Sequence, residues 1–572
     1  MKKLFYAGMT GLLLASGTLA EAGPAMELRV GSGETVLERY KDYGYNVIIL
    51  GDVTQLAGYD SIYPHLLAPG SALQKRIEQH RRKFKTMSER ADSLGLAVCL
   101  MSDEISLPTV VLEQLRRAGM AGSGRLGIDF DSEIFWTAYR AKYREVLRAW
   151  PRAAYVMIRT GENYSHPEEG FSGRTVVDKT IDDGYFKNMR RLIEETRKVV
   201  VDEFGRTLIW RTWDLGNDGF HANPAVYDRI LQGLPSRKGL IFAVKFTQTD
   251  FWRYNDFNPM IGRGGVDQII EFECAREYEG KGAFPDYIGP EHAEAMRRCE
   301  AIGVKGVWVW DSGGGWGGPF LKSDMWDRLN VEATTRLAQN SDLSARTLAE
   351  AWAAREFGPA SAAKVADMLM LSGECVNKFM YIAPYAREHH GWKPSLNLMR
   401  DDIIRGEPLK ALYEGSKKAL PEALQEKAEA VALARRMQTL FESARDSIVA
   451  ERGQAVYDDA HGSLVYLESM TEVVSHYVRG MFLYYHWQET GDAAEAGKAR
   501  MELLAWREAW HAYQTGIPKL PGAASPYRSQ NTQEAASAKG AMADLCENAL
   551  KSLPATTGNR VLSATGTAAS RQ

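Results

Sequence analysis

LIFAVKFTQTDFWRYNDFNPMIGRGGVDQIIEFECAREYEG, residues 240–280, holds two apolar runs that read as buried strands, each ending in polar residues rich in carboxylates and aromatic rings. The first run ends in Lys245 and Asp250, followed by Phe251, Trp252 and Tyr254; the second ends in Glu273, Arg276, Glu277 and Tyr278. Acids set just past consecutive apolar strands, beside flat rings, are what sugar chemistry on the rim of a barrel requires.

Working outward, the chain from about Asn46 alternates short apolar runs with longer amphipathic ones, the pattern of a parallel sheet with helical crossovers. Eight candidate strands follow: Asn46–Leu50, Ala97–Leu100, Leu126–Phe130, Ala154–Ile158, Thr207–Arg211, Leu240–Lys245, Gln268–Phe272 and Gly306–Trp310. Between them helical spacing recurs, as in Tyr185–Phe204, where Phe186, Met189, Leu192, Ile193 and Val200 fall on one face. Eight such units predict an α/β fold, a (β/α)8 TIM barrel over residues 27–328 with its chemistry at the C-terminal strand ends. No GxGxxG or GxxxxGK[ST] follows a strand, so nothing favours a nucleotide-binding open sheet. Beyond the glycine-rich loop Gly313–Gly318 the pattern becomes nearly continuous helix. This predicts an all-α C-terminal domain over 329–552, its aromatics read as core, and a disordered tail over 553–572.

The balance of 70 Lys and Arg against 73 Asp and Glu gives no electrostatic reason to expect nucleic acid or an anionic membrane as partner. Lys2 and Lys3, an apolar run and small residues around Ala20 and Ala22 have the layout of a signal peptide over 1–22, which predicts export to the periplasm or the extracellular space. The five cysteines lack CxxC spacing, so neither a zinc site nor a disulfide framework is indicated, and Cys99 and Cys274 read as buried thiols.

On a barrel, the strand ends share one rim. Strand four presents Arg159 and Glu162; strand five, Arg211 and Trp213; strand six, Lys245 and Asp250; strand seven, Glu273 and Glu277; strand eight, Trp308, Trp310 and Asp311. A glutamate past a buried strand is, taken alone, more often a solvated loop residue. Three cations, several acids and several rings on one face argue jointly against that bland reading. Glycoside hydrolysis needs one carboxyl to protonate the leaving oxygen and a second carboxylate to activate water or attack the sugar. Arg and Lys suit an anionic group on the substrate. Trp252, Tyr254 and Trp310 are candidates for stacking on sugar, with packing an equal alternative for Trp252 and Tyr254. Glu273 either shares the rim or is a core-edge acid paired with Arg276. His166, His221 and His292 show no metal-ligand spacing and read as loop or surface residues, His221 being a weak candidate for a substrate contact.

These residues resemble the α-glucuronidases of glycoside hydrolase family 67. VKFTQTDFWRYNDFNPMIG followed by QIIEFECAREYEG is similar to that family's block over strands six and seven: Lys245 precedes Asp250 by five residues, Phe251 follows, and Glu277 with Tyr278 lies 27 residues beyond Asp250. VMIRTGENYSHP resembles the segment that carries the acid, and LIWRTW the strand-five motif. The family's separate domain before the barrel has no counterpart here, and FTQT and a shorter acid loop depart from its pattern. The resemblance implies an inverting hydrolase, needing no metal or other cofactor, that releases a terminal α-linked glucuronic acid or its 4-O-methyl form from xylan-type oligosaccharides. Glu162 would be the general acid, Asp250 and Glu277 would position and deprotonate water, and Arg159, Arg211 and Lys245 would hold the uronic carboxylate. The acid and base should then stand ~6.5–9.5 Å apart. The alternatives are a glycosidase for another acidic or neutral sugar and a secreted carbohydrate-binding protein without catalysis. A homodimer through the helical domain is a further expectation.

Overall fold

A computed structural model describes residues 26–32, 36–120, 127–162, 169–174, 180–214, 218–276, 278–280, 282–310, 325–388, 408–517 and 541–554. Eight parallel strands close into a barrel: β1 (Leu28–Ser32), β2 (Val47–Asp52), β3 (Ala97–Asp103), β4 (Ala153–Arg159), β5 (Thr207–Arg211), β6 (Leu240–Lys245), β7 (Asp267–Glu273) and β8 (Gly306–Trp310). Neighbours in sequence pair in order, and β8 returns to β1 with Trp308 opposite Val30. The (β/α)8 barrel followed by a helical C-terminal region is therefore the fold.

Two of the expected strands change. Leu28–Ser32 is the first strand, hidden in the sequence because Leu28 and Val30 are its only large apolar residues; both point into the barrel, as does Ser32, which accepts from the Trp308 indole (3.0 Å). Its Arg29 turns outward and donates from Nε to the Gly44 carbonyl (2.7 Å), and Gly31 is required because a Cβ there would lie 2.3 Å from the ring of Tyr40. Within Leu126–Phe130, Leu126 lies outside the described residues and Gly127–Phe130 form turn and coil. Ile128 and Phe130 are apolar because they pack beneath the helix Glu133–Ala149, whose Trp136 indole donates to the Phe130 carbonyl (2.8 Å). The missed strand and the spurious one cancel, so strands four to eight keep their places. One crossover also differs: residues 246–266, between β6 and β7, form a helix-free loop.

Two-residue periodicity divides each strand between two cores. Outward side chains such as Leu208, Trp210, Phe242, Val244, Ile270 and Phe272 pack against the surrounding helices. Inward ones, including Cys99, Met157, Ile209, Ile241, Ala243, Ile269 and Trp308, fill the barrel. Continued one step, the same parity turns Asp103, Arg159, Arg211, Lys245, Glu271 and Glu273 inward at the C-terminal mouth.

The helical region is built around Gln454–Thr490, which packs on Leu420–Glu442 and Ala493–Gly516. Residue 328 lies within the helix Met325–Gln339, whose Val331 and Leu337 join the barrel's core while Trp326 and Leu329 join the helical one. Barrel loops enter the helical core as well: Trp252, Tyr278, Phe284 and Tyr287 are members of it. Beside them lies a buried ionic network. Arg253 donates to Glu279 (3.0 Å) and Asp286 (2.7 Å), Arg276 to Glu279 (3.1 Å), and the Tyr381 hydroxyl of the helical region to Glu279 (2.7 Å). Burial opposes the charge on Glu279, but the two guanidiniums hold its carboxyl far below the ordinary range, whereas burial, with Glu279 alongside, raises that of Asp286. Removing one partner from such a network leaves uncompensated charge in a low-dielectric interior. Glu279→Gln should therefore destabilise the protein by about 3–5 kcal/mol in urea unfolding. An unchanged midpoint would show that the network does not hold the two regions together.

Candidate active site

The site is assembled from β4 to β8. β4 ends in Arg159, whose Nε and Nη2 both reach Oδ1 of Asp103 on β3 (2.8 and 2.6 Å). The chain then turns at Gly161 with φ +79°, where a Cβ would stand 2.9 Å from the Asp214 Cα and the Trp213 carbonyl, so only glycine permits the loops after β4 and β5 to touch. This turn delivers Glu162 over Arg211. The Arg211 guanidinium is gripped in two directions: Nε and Nη2 donate to Glu271 on β7 (2.8 and 2.7 Å), and Nη1 donates to Oε2 of Glu162 (2.6 Å). Trp310 completes the Glu271 shell, its indole donating to Oε1 (2.7 Å), and Arg211 lies over the rings of Trp308 and Trp310.

β6 ends in Lys245, whose ammonium lies 3.9 Å from the Trp213 ring centroid and 4.4 Å from that of Phe251 and donates to Oδ1 of Asp250. Asp250 also accepts from the Phe251 amide (3.1 Å) and, at Oδ2, from the Tyr278 hydroxyl (2.5 Å). Tyr278 is itself fixed, stacked on Trp252 at 3.7 Å between ring centroids. Trp252 is thus engaged in packing, and Tyr254, at φ +68°, faces Tyr381 of the helical region.

Every sequence-predicted cation therefore has a carboxylate of the chain as partner, and it is exposure that separates those carboxylates. Asp103 and Glu271 are wholly buried, Asp250 side-chain exposure is 9%, and that of Glu162 is 22%. Of these four cation-paired carboxylates, Glu162 and Asp250 are the less deeply buried. Burial works against ionisation of both. The charges of Arg211 and Lys245 nonetheless hold Glu162 below the ordinary carboxylate range, and Lys245 with the Tyr278 hydroxyl does the same for Asp250. In the resting site both are carboxylates.

Glu277, expected beside Asp250, lies outside the described residues, as do Asp311 and His166. Glu273 is buried with its carboxylate 4.0 Å from Arg276, and its strand parity also turns it toward the mouth, so features of both alternatives are present. His221 and His292 are fully buried rather than on the surface. His221 joins Thr212 (3.0 Å) to Asn258 (3.1 Å), and His292 meets Thr334 (2.7 Å); burial pushes both imidazoles far below their usual range, so they act as neutral packing polar groups. Sequence reasoning missed Asp52, Asp103 and Glu271. Strand parity finds Asp103 two positions beyond Met101 and Glu271 two beyond Ile269. Asp52 follows an irregularity in the β2 register that parity does not anticipate; burial and the nearby Asp103 raise its carboxyl to about 6. All five cysteines are buried and free, and among the described residues no group of His, Cys, Asp and Glu is arranged to hold a metal ion.

A closed (β/α)8 barrel carrying paired acids at its C-terminal mouth, with an all-α region embracing two of its loops, defines the class of architecture. Among solved structures, the chain is similar to a GH138 enzyme targeting pectin rhamnogalacturonan II, with a TM-score of 0.63 at 12% identity, covering 93% of this chain and 83% of that one. CpGH84B and CpGH84D align with TM-scores of 0.37 and 0.36 at 11% identity, covering 86% and 92% of this chain and 74% and 75% of theirs. These neighbours are glycoside hydrolases, and what the GH138 enzyme shares with this chain at such low identity is the fold. No family model and no curated protein matches the chain.

The Lys245–Asp250 pair yields a stability signature. Because Asp250 binds its proton less tightly in the folded than in the unfolded chain, the pair's contribution is complete above ~4 and is lost as pH falls through the depressed folded value. Asp250→Asn should cost on the order of 3 kcal/mol at neutral pH by leaving Lys245 buried without a counter-charge. Denaturant titrations of both proteins should show that gap narrowing below about pH 4. A gap independent of pH would contradict an ionised Asp250.

Proposed function

We propose that this chain is an O-glycosyl hydrolase that releases a terminal α-linked glucuronic acid, or its 4-O-methyl form, from xylan-type oligosaccharides by inversion. The observation that carries the reading is the meeting at one barrel mouth of two carboxylates, Glu162 after β4 and Asp250 after β6, each paired with a buried cation, Arg211 and Lys245. Glu162 donates a proton to the glycosidic oxygen as its bond to the anomeric carbon breaks. Asp250, joined by Glu277, orients a water on the opposite face and takes its proton. Arg159, Arg211 and Lys245, each already paired with a carboxylate of the chain, attract the sugar's carboxylate. Trp310 forms the apolar side of the subsite, and no cofactor takes part. The amino-terminal sequence suits an exported enzyme working in the periplasm or outside the cell on a soluble oligosaccharide.

One observation favours a second reading. The GH138 neighbour targets a pectic polysaccharide, and pectin too is built on a uronic acid, so the same cations would serve a glycosidase for another acidic sugar. Oligosaccharides capped with glucuronic, 4-O-methylglucuronic or galacturonic acid separate the readings, with NMR following which sugar is released and in which anomeric form. Release of glucuronic acid as the inverted anomer is expected. Glu162→Gln should lower hydrolysis of such unactivated substrates by about 10²–10⁴-fold while binding persists; undiminished turnover would sink the assignment. Binding without any product from the wild type would instead indicate a carbohydrate-binding protein.

A further inference from the structure

Arg211 presents its donors unequally. Nε and Nη2 face inward, onto the wholly buried Glu271; Nη1 faces the mouth, and Glu162 occupies it through a single hydrogen bond of 2.6 Å. Glu162 is the more exposed partner and follows a glycine turn. We propose that the carboxylate of a uronic-acid substrate takes Nη1 of Arg211 from Glu162, and that the displaced Glu162 then gains a proton from solvent, becoming the general acid only when such a substrate is bound. The inference rests on the glycosidase reading above, in which Glu162 is the acid and Arg211 meets the substrate's carboxylate.

The charges around Glu162 support the exchange. Arg211 on β5 and Lys245 on β6 face it with positive charge and Asp250 with negative; Glu271 lies behind Arg211, and Glu104 after β3 meets the amide of Gly161 (3.4 Å). Two cations thus serve three carboxylates, Glu162, Asp250 and Glu271. A fourth carboxylate enters without adding to the negative charge only if one of the three is neutralised. Glu271 has two bonds to Arg211 and one from Trp310, and Asp250 is held by Lys245, Tyr278 and an amide, so Glu162 is the one free to yield. Burial is the largest influence on its proton affinity; Arg211 is the first of the influences that oppose it, by charge and by hydrogen bond, with Lys245 beside it. With Arg211 turned to the substrate, burial prevails and the carboxyl protonates. The proton comes from solvent, passes to the glycosidic oxygen as the C–O bond breaks, and the water that attacks the anomeric carbon gives up the proton that restores the balance. A neutral sugar brings no anion and leaves Glu162 ionised on Arg211.

Two measurements test this. The pH profile of kcat/KM reports the free enzyme and that of kcat the bound one. For a glucuronic-acid-capped xylo-oligosaccharide the basic limb of kcat should lie about 1–3 pH units above that of kcat/KM, whereas for its carboxyl-reduced counterpart the two limbs should coincide. Coincident limbs for the uronic substrate would overturn the inference. Calorimetry of D-glucuronate binding at pH 6, in buffers of different ionisation enthalpy, should show proton uptake that disappears in Glu162→Gln, which still binds the sugar. Binding without uptake, or uptake that survives in Glu162→Gln, overturns the exchange and leaves the hydrolase reading standing. A wild type that binds no glucuronate defeats the uronic-acid reading itself, and the inference with it.

Discussion

The constraint on which the site depends is strand parity in a closed barrel. Alternate side chains must point inward, and the inward space is too narrow and too dry for a lone charge. At the lower levels the sequence answers with Cys99, Met157, Ile209, Ile241 and Ala243. At the mouth it places Asp103, Arg159, Arg211, Lys245 and Glu271, and these persist there as pairs: Asp103 with Arg159 and Arg211 with Glu271 across strands, and Lys245 with Asp250 of the loop that follows its own strand. The pairing follows from geometry. Asp103 lies directly opposite Arg159 in the ladder, so the two charges are adjacent before any side chain chooses a rotamer. Arg211 instead spans from β5 to β7, and its planar fork holds Glu271 by two parallel bonds in a way a lysine could not.

The helical region enters this arrangement through Tyr278. Its ring belongs to the helical core, stacked on Trp252, while its hydroxyl ends on Asp250. Residues 246–266 can reach that core because no crossover helix separates β6 from β7. Freed from packing against the barrel wall, the loop carries Asp250 at one end and Arg253 further along, and Arg253 joins Glu279 and Asp286 in the ionic network against Tyr381. Tyr254 and Arg276, both non-glycine residues with positive φ, lie on the two loops that make these contacts. Strained conformations persist where surrounding contacts over-determine them, and the ionic network supplies such contacts.

Much of this was legible in the sequence, and the limits are instructive. Apolar runs such as LIFAVK and QIIEF stand out because both faces of a barrel strand are buried, which located β2 and β3 and β4 to β8. LRVGS did not stand out, because its outward positions are an arginine that bonds backbone and a glycine beneath Tyr40. Ile128 and Phe130 misled for the opposite reason, since packing against a helix requires apolar residues without requiring a strand. The rim was found through residue type and position after each strand, and the structure brings Glu162, Arg211, Lys245 and Asp250 together. What residue type could not supply was pairing. Glu271 looked interior and Glu273 looked terminal, yet both share one parity, and it is the deeper of the two that holds Arg211. Trp252 read equally as a sugar platform and as packing because sequence does not tell a ring facing the mouth from one facing a second domain, and the helical core is where it lies.

Pairing also distinguishes Asp250 from Glu162, although both are carboxylates beside a cation. Asp250 has three donors from three directions, one of them anchored in the helical core, and its rotamer is over-determined. A group that must take a proton from water gains from such rigidity, since preorganised donors need no rearrangement at the moment of reaction. Among the described residues Glu162 accepts from one donor, the Nη1 of a guanidinium whose other donors hold Glu271, and its backbone has just turned through left-handed glycine. A group that must change protonation state within each cycle needs the reverse: a partner strong enough to define its resting position and weak enough to be exchanged. A single charge-assisted bond at a partly solvated site is of that order, about 1.5–3 kcal/mol. The asymmetry between a clamped acid and a loosely held one is thus built from hydrogen-bond number, and it runs in the direction that base and acid chemistry at one sugar would require.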